Sequence, residues 1–468
     1  MIAYNDKALK NRQTPENFRQ KKGRRMQKTT RDKKELRTGF TTGTCAAAAS
    51  MAAAQALLWG EKPQRVSLEL PGKIHASFQV LWLRERKRQE GSSAQKGHME
   101  TDCLERGELC AVRKDAGDDP DVTDGALVCA FVSLIPQSLP KDGVYCDCRG
   151  ERKIYIAGGR GIGRVTKKGL KCPVGYPAIN PVPRMMIADA VRKAAENCRQ
   201  KQDLYVEISI PGGERLAEKT FNSHLGIEGG ISVLGTTGIV NPMSEEALKE
   251  TIRLDIQVRK EEGRTLLAVA PGNYGEAFLR EQMGLPMESF VRCSNFVGET
   301  FGMMAEAGIK EVLFAGHLGK LIKVAGGVMN THSKYGDRRM EILWDCLEEA
   351  LDLQSRETAE NSVSKDGKAE KKLAFWENPE RLRKTVLSMN TADEAAEFLR
   401  EQGILEPVMK IVTERIKNVL TERFAVSTEV IVFSGSAGIL GMTQGARQTA
   451  ERLRRMFQEA AVKKNTNK

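Results

Sequence analysis

A chain of 468 residues with 40% hydrophobic and 29% charged side chains has material for two or three packed domains. It contains no run of 18 apolar residues, which excludes a transmembrane helix and leaves no membrane partner expected. The net charge of +12 belongs to the two ends: residues 1–34 carry twelve Lys/Arg against three Asp/Glu, residues 451–468 six against two, and 35–450 sum to −1.

A basic arm with no recognisable DNA- or RNA-binding motif reads as a solvated extension, so nucleic acid is not expected as a partner. No apolar leader opens the sequence. The ten cysteines form no CxxC pair, only the CxC of Cys146 and Cys148. Reduced, mostly buried thiols in a cytoplasmic protein are expected, without a disulfide framework or a metal site.

Past the arm (1–34), an alanine-rich stretch from Thr44 to Leu58 has high helix propensity and a stop at Gly60. Strand-like runs follow at 65–70, 74–83, 109–114, 126–135 and 152–157, with the polar segment 84–102 reading as a surface loop. Pro183 opens a helix through Met186, Ala190, Val191 and Ala194, and Tyr205–Ile210 is a further apolar strand. Short strands with few helices predict an α+β domain over 35–240.

The remainder changes character. Leu266–Ala270 predicts a strand, ended by PGNYG (271–275) and a helix through Phe278, Leu279 and Met283. Phe290–Cys293 and Glu311–Ala315 predict two more, the first followed by a helix from Phe296 to Ala307, the second by GHLGK (316–320) and another apolar helix. Helices near 392–402 and 407–423 precede a fourth strand, Glu429–Phe433, with GSAGILG behind it. Strand-loop-helix repetition with continuous apolar strands predicts an α/β domain over 241–455, on a doubly wound, mainly parallel sheet of about four strands. A polar insertion at 354–372 and a basic tail at 456–468 complete the division. In such sheets ligands bind outside the carboxyl ends of the strands, where strand order reverses, which points at PGNYG and GHLGK.

Among the motifs, GGRGIGRVTKKG (158–169) follows a strand but is succeeded by four prolines rather than a helix, so it fails as a dinucleotide loop and reads first as a tight turn. GHLGKL lacks the glycine at Phe314 and the Ser/Thr at Leu321 that a Walker loop needs. RTGFTTGTCAAAA (37–49) sets threonines and Arg37 before a helix, where an N-cap and an anion site are alternatives. KDAGDDPDVTDG (114–125) holds five aspartates and reads as turn chemistry in preference to a metal loop. Of five histidines, His317 and His332 fall beyond the predicted elements of the ligand half, and His317, at a strand end, is the better functional candidate.

Taken together, RTGFTTGTCAAAA, KDAGDDPDVTDG, GGRGIGRVTKKGL with AINPVPRMMI, ISIPGGERLAEKTFN, LGIEGGISVLGTTGIVNPMSEEA, PGNYGE and GHLGKLIKVAGGVMNTHS resemble, in order, the cobalt-precorrin-5B C-1 methyltransferase family of anaerobic cobalamin biosynthesis. The resemblance implies methyl transfer from S-adenosylmethionine to ring carbon C-1 of a cobalt-containing tetrapyrrole, giving cobalt-precorrin-6A. Cobalt then enters only as part of the substrate, and other enzymes of the pathway are candidate partners. In-line displacement at a sulfonium methyl needs chiefly alignment, so a site without an obvious nucleophile is compatible with it. On this reading Gly272, Asn273, Gly275, Asn295 and Gly316 bind the methyl donor. Arg37, Thr41, Thr42, Lys167, Arg184, Lys320 and Lys323 bind the acidic substrate, and His317 is the catalytic candidate. The competing classes are a phosphoryl-transfer or other nucleotide-binding enzyme, and a nucleic-acid-binding protein acting through the arm.

Overall fold

The computed structural model describes residues 36–83, 107–135, 139, 142–199, 201–360 and 379–466. The basic arm, residues 84–102 and residues 361–372 lie outside the described residues. The chain divides into two compact units, Met1–Glu245 and Glu246–Lys468.

The first unit is built on a six-stranded sheet of β1 (Leu81–Trp82), β2 (Gly107–Arg113), β3 (Leu127–Leu134), β4 (Val144–Asp147), β5 (Ile154–Gly158) and β6 (Leu204–Ser209). The order is β1-β2-β3-β6-β5-β4, antiparallel except for the β5–β6 pair. Helices α1 (Thr42–Trp59) and α2 (Pro181–Ala194) share its core, where Ala46, Ala49 and Ala53 meet Val128, Ala130, Ile156, Ile187 and Val191. Small side chains on α1 let its backbone approach the β-branched face closely, and Gly60 at φ 71° stops it. The second helix begins at Pro181, two residues before the expected start, because Asn180 takes the extended cap conformation and leaves Pro181 in the first turn. The expected strand 74–83 is two strands: Ile74–Gln79 pairs with Arg65–Leu70, and β1 pairs with β2.

In the second unit α3 (Glu245–Glu261) leads to β7 (Leu266–Ala270), α4 (Gly272–Ala277), β8 (Phe290–Arg292), α5 (Val297–Ala307), β9 (Glu311–His317) and α6 (Leu318–Ala325). Then come α7 (Arg339–Glu360), α8 (Pro379–Leu387), α9 (Ala392–Glu401), α10 (Leu405–Phe424), β10 (Ser427–Ser434), β11 (Gly438–Met442) and α11 (Ala446–Thr466). The sheet runs β8-β7-β9-β10-β11, the first four strands parallel and the last antiparallel. Within this unit that is the order 2-1-3-4-5, so strand order reverses between β7 and β9.

Both faces are covered. Leu267, Val269, Val312 and Phe314 pack with α5, α6 and α10, while Leu266, Ala268, Leu313 and Ala315 pack with Phe278, Ala450 and Leu453. Alternate residues of one strand therefore serve two cores, which is why the strands read as unbroken apolar runs.

Two expectations are corrected. The sheet has five strands where about four are expected, because Gly438–Met442 returns along β10 as β11. The insertion expected at 354–372 begins inside α7, which continues to Glu360: residues 354–360 (QSRETAE) contain no Gly or Pro and suit a helix. As far as Thr466 the basic tail continues α11, whose Ala446, Ala450 and Leu453 are buried at helical spacing.

Candidate functional site

The loops after β7 and β9 lie side by side at the carboxyl ends of the sheet. PGNYG passes through Gly272 at φ 80°, and a Cβ placed there would sit 3.2 Å from Lys320 Nζ. The second loop thus reaches across to the first. Beyond Gly272, Asn273 and Tyr274 are exposed, the tyrosine at 78%, and the Tyr274 ring lies 6.3 Å from that of His317. A cleft of about 330 Å³ opens beside them, lined by Asn295, Lys320, Lys323, Thr331, His332 and Arg339 among others.

Lys320 is the distinctive group of this cleft. It is half-buried, and among the described residues its ammonium has no hydrogen-bond or ion-pair partner. Burial holds its pKa below the ordinary lysine range; Cys293 opposes that shift and Lys323 adds to it. A cation held in a cleft without a partner is poised for an anion.

Its neighbour behaves differently. Lys323 is expected, with Lys320, to bind the acidic substrate. It is buried instead, and its Nζ donates to the carbonyls of Thr331 (3.4 Å) and Gly336 (3.1 Å). Those bonds tie α6 to the segment 331–336 that walls the cleft. Arg339 is likewise engaged, donating from Nε and Nη2 to Asp337 at 2.6 Å and holding that carboxyl below its usual pKa.

His317 caps α6. Its Nδ1 accepts the Gly319 N–H at 3.1 Å, so the ring proton sits on Nε2, which lies 3.3 Å from Asp393 Oδ1. Nδ1 is thus occupied by that amide, while Nε2 lies near the Asp393 carboxylate without a hydrogen bond to it.

The glycines divide as well. A Cβ at Gly272 would meet only the end of the Lys320 side chain, but one at Gly275 would fall 2.8 Å from that of Ala270, and one at Gly316 2.2 Å from Leu321 Cδ1. These two positions lack side chains because of packing. Asn295 faces the cleft and receives the Thr331 hydroxyl at 3.3 Å, with Thr331 N–H on its carbonyl at 3.0 Å.

The candidates in the first unit are largely engaged by residues that were not candidates. Arg37 forms a two-pronged pair with Asp115 (2.6 and 2.8 Å) and gives its backbone N–H to Asp118. Thr41 is the N-cap of α1, accepting from Thr44 N–H, and the Thr42 hydroxyl bonds Leu234. Lys167 lies across Gly226. The Arg184 guanidinium stacks 3.9 Å over the Tyr145 ring, and its buried Nε has no hydrogen-bond partner among the described residues.

The aspartate segment is turn chemistry: Lys114 pairs with Asp121 at 2.6 Å, Asp124 accepts Ala116 N–H and Asp119 accepts Met243 N–H. In GGRGIG, Gly161 at φ 77° would put a Cβ 1.9 Å from the Ile210 carbonyl oxygen, as a tight turn requires.

Outside the residues proposed from sequence, the cleft draws on Thr331, His332, Ser333, Asp337 and Arg339. They lie in a stretch without apolar period, marked in the sequence by His332 and by NTHS within the last of the collinear motifs.

Comparison with known proteins bears on the whole chain. The CbiD family model matches residues 29–242, and that of the CbiD C-terminal domain matches 377–444. A cobalt-precorrin-5B C(1)-methyltransferase of Ruminiclostridium cellulolyticum is 39% identical over 86% of this chain and 90% of its own. The protein of that name from Alkaliphilus metalliredigens is 36% identical over 91% and 97%. A crystal structure titled cobalamin biosynthesis protein (cbiD) from Archaeoglobus fulgidus is 26% identical, covering 64% of this chain and 84% of that one, with a TM-score of 0.32. On the sequence identity and coverage of these relatives, the chain belongs to the cobalt-precorrin-5B C(1)-methyltransferase family, CbiD.

Proposed function

We propose that this protein transfers the methyl group of S-adenosylmethionine to ring carbon C-1 of cobalt-precorrin-5B, giving cobalt-precorrin-6A, and that the crevice between β7 and β9 is where donor and ring meet. Membership of the family makes it a methyltransferase of cobalamin biosynthesis. The single observation supporting the site is the unpartnered Lys320 ammonium beside the side-chain-free edge of Gly272, at the reversal point of the sheet.

In this reading Gly272 and Asn273 receive the donor along exposed backbone, with Asn295 within the cleft. Lys320 takes a carboxylate arm of the tetrapyrrole. When bound, the donor supplies an electrophilic methyl on a sulfonium; its carbon–sulfur bond breaks as the bond to C-1 forms. The protein's share is alignment, which supplies up to ~7–11 kcal/mol of a barrier. His317 contributes by fixing the start of α6, and hence Lys320, through its cap on Gly319.

Calorimetry with S-adenosylmethionine and, separately, with magnesium and ATP tests the reading against phosphoryl transfer. The sulfonium compound should bind and ATP should not. Gly272→Val should weaken donor binding at least tenfold, whereas Gly302→Ala, on α5 with its nearest neighbour 4.0 Å away, should not. Binding of ATP alone, or equal donor affinity in both variants, would overturn the assignment.

A further inference from the structure

Outside the site, the described cysteines differ sharply in exposure. Cys45, Cys110, Cys129, Cys172, Cys293 and Cys346 are buried, as expected, and Cys198 is half-buried. Cys146 and Cys148 are exposed, and their Sγ atoms lie 3.1 Å apart.

Residues i and i+2 of a strand point to the same face, ~6.6 Å apart along it at ~3.3 Å per residue. Here β4 ends at Asp147, and Cys148 follows outside the ladder, which lets the second thiol fold back on the first. β4 is also an edge strand: among the described residues it pairs with β5 alone. Asp147, between the two cysteines, anchors the bend by accepting from Arg149 (2.7 Å) and from Arg192 of α2 (2.6 Å).

We propose that Cys146 and Cys148 form a dithiol site that low-molecular-weight disulfides oxidise reversibly to an internal disulfide. The Cys148 thiolate attacks one sulfur of the incoming disulfide and expels its other half as a thiolate. Cys146, once deprotonated, attacks Cys148 Sγ, forms the internal bond and expels the second half. Two protein thiols are oxidised, one disulfide is reduced to two thiols, and the protons follow the leaving thiolates. Burial and the adjoining Cys148 push the Cys146 thiol up to about 11, which suits it to the second, resolving step. The six buried thiols are screened from the oxidant, and among the described cysteines only this pair is exposed.

The full-length protein, equilibrated in oxidised and reduced glutathione at varied ratio, alkylated and digested, provides the test. As the ratio rises, the peptide carrying residues 146–148 should lose two hydrogens and resist alkylation, and dithiothreitol should reverse both changes. Cys146→Ser should instead accumulate a glutathione adduct on Cys148, while Cys148→Ser should carry at least fivefold less adduct. Both thiols alkylated at every ratio, a single adduct in the wild type, or a bond to Cys198 would each overturn the proposal.

Discussion

Replacing Lys320 by Met separates binding from folding at the crevice. The methylene stem is retained and only the charge is lost. Because that ammonium is half-buried with no partner among the described residues, the free protein loses no hydrogen bond or ion pair, and its stability should hold or rise. A ligand carboxylate, by contrast, loses a charged contact worth ~1.5–3 kcal/mol, so KM for the tetrapyrrole should rise roughly 10- to 150-fold. Donor affinity should change by less than about twofold.

The pH dependence carries the same signature with a definite sign. A lysine whose pKa is lowered in the folded state binds fewer protons there than in the unfolded chain. Stability should therefore rise with pH as the folded-state amine deprotonates, up to the unfolded value of ~10.4. The Met variant should lack that rise. Urea unfolding across this range, together with steady-state kinetics and donor calorimetry, reads all three quantities. An unchanged tetrapyrrole KM would refute the assignment. A KM effect replaced by a tenfold loss of donor affinity would place the amine on the donor instead.

Three further outcomes are expected. His317→Ala removes the cap on Gly319 and should lower stability by ~1 kcal/mol in urea unfolding while kcat falls less than tenfold. His317→Asn should restore the cap, and a hundredfold loss of kcat in a folded Asn variant would make His317 a proton acceptor after all. Lys114 is 2% exposed against Asp121, so Lys114→Met should cost ~3–5 kcal/mol and the double variant with Asp121→Asn should recover most of it, as measured by chemical denaturation. Burial opposes ionisation of Asp147, but Arg149 and Arg192 outweigh it and bring the pKa to about 2. Its contribution, about 1–2 kcal/mol after allowing for the exposed Arg149, should be complete above pH ~4 and vanish as pH falls through about 2, and acid unfolding of Asp147→Asn should lack that step.

What could be read from sequence follows from how local each cause is. The strands of the parallel sheet announced themselves because each is buried on both faces, and the loops behind them because helix starts follow directly. β11 escaped because Gly438 and Gly441 dilute its apolar signal, and its existence depends on a partner, β10, already in place. Lys320 and Lys323 look equivalent in sequence; the return of residues 331–336 engages Lys323, while Lys320 has no partner among the described residues. His317 was correctly placed at a strand end, but its occupation by the Gly319 amide exists only once the turn has formed. Arg37 reads as a free cation until the aspartate segment, 78 residues on, folds back onto it.

The two rims of the parallel sheet have a consequence for how the protein behaves at high concentration. One rim is β8, only three residues long, and the other is β11, which carries two glycines and pairs with β10 through an irregular register between Val432 and Phe433. Neither offers the long, flat row of amides and carbonyls that another chain's strand would need for pairing. The apolar interior strands, whose sequences alone would rank among the most aggregation-prone in the chain, are thus shielded at both ends of the sheet. Cross-molecule strand addition should require prior opening of this unit, so aggregation during heating should track its unfolding and not precede it.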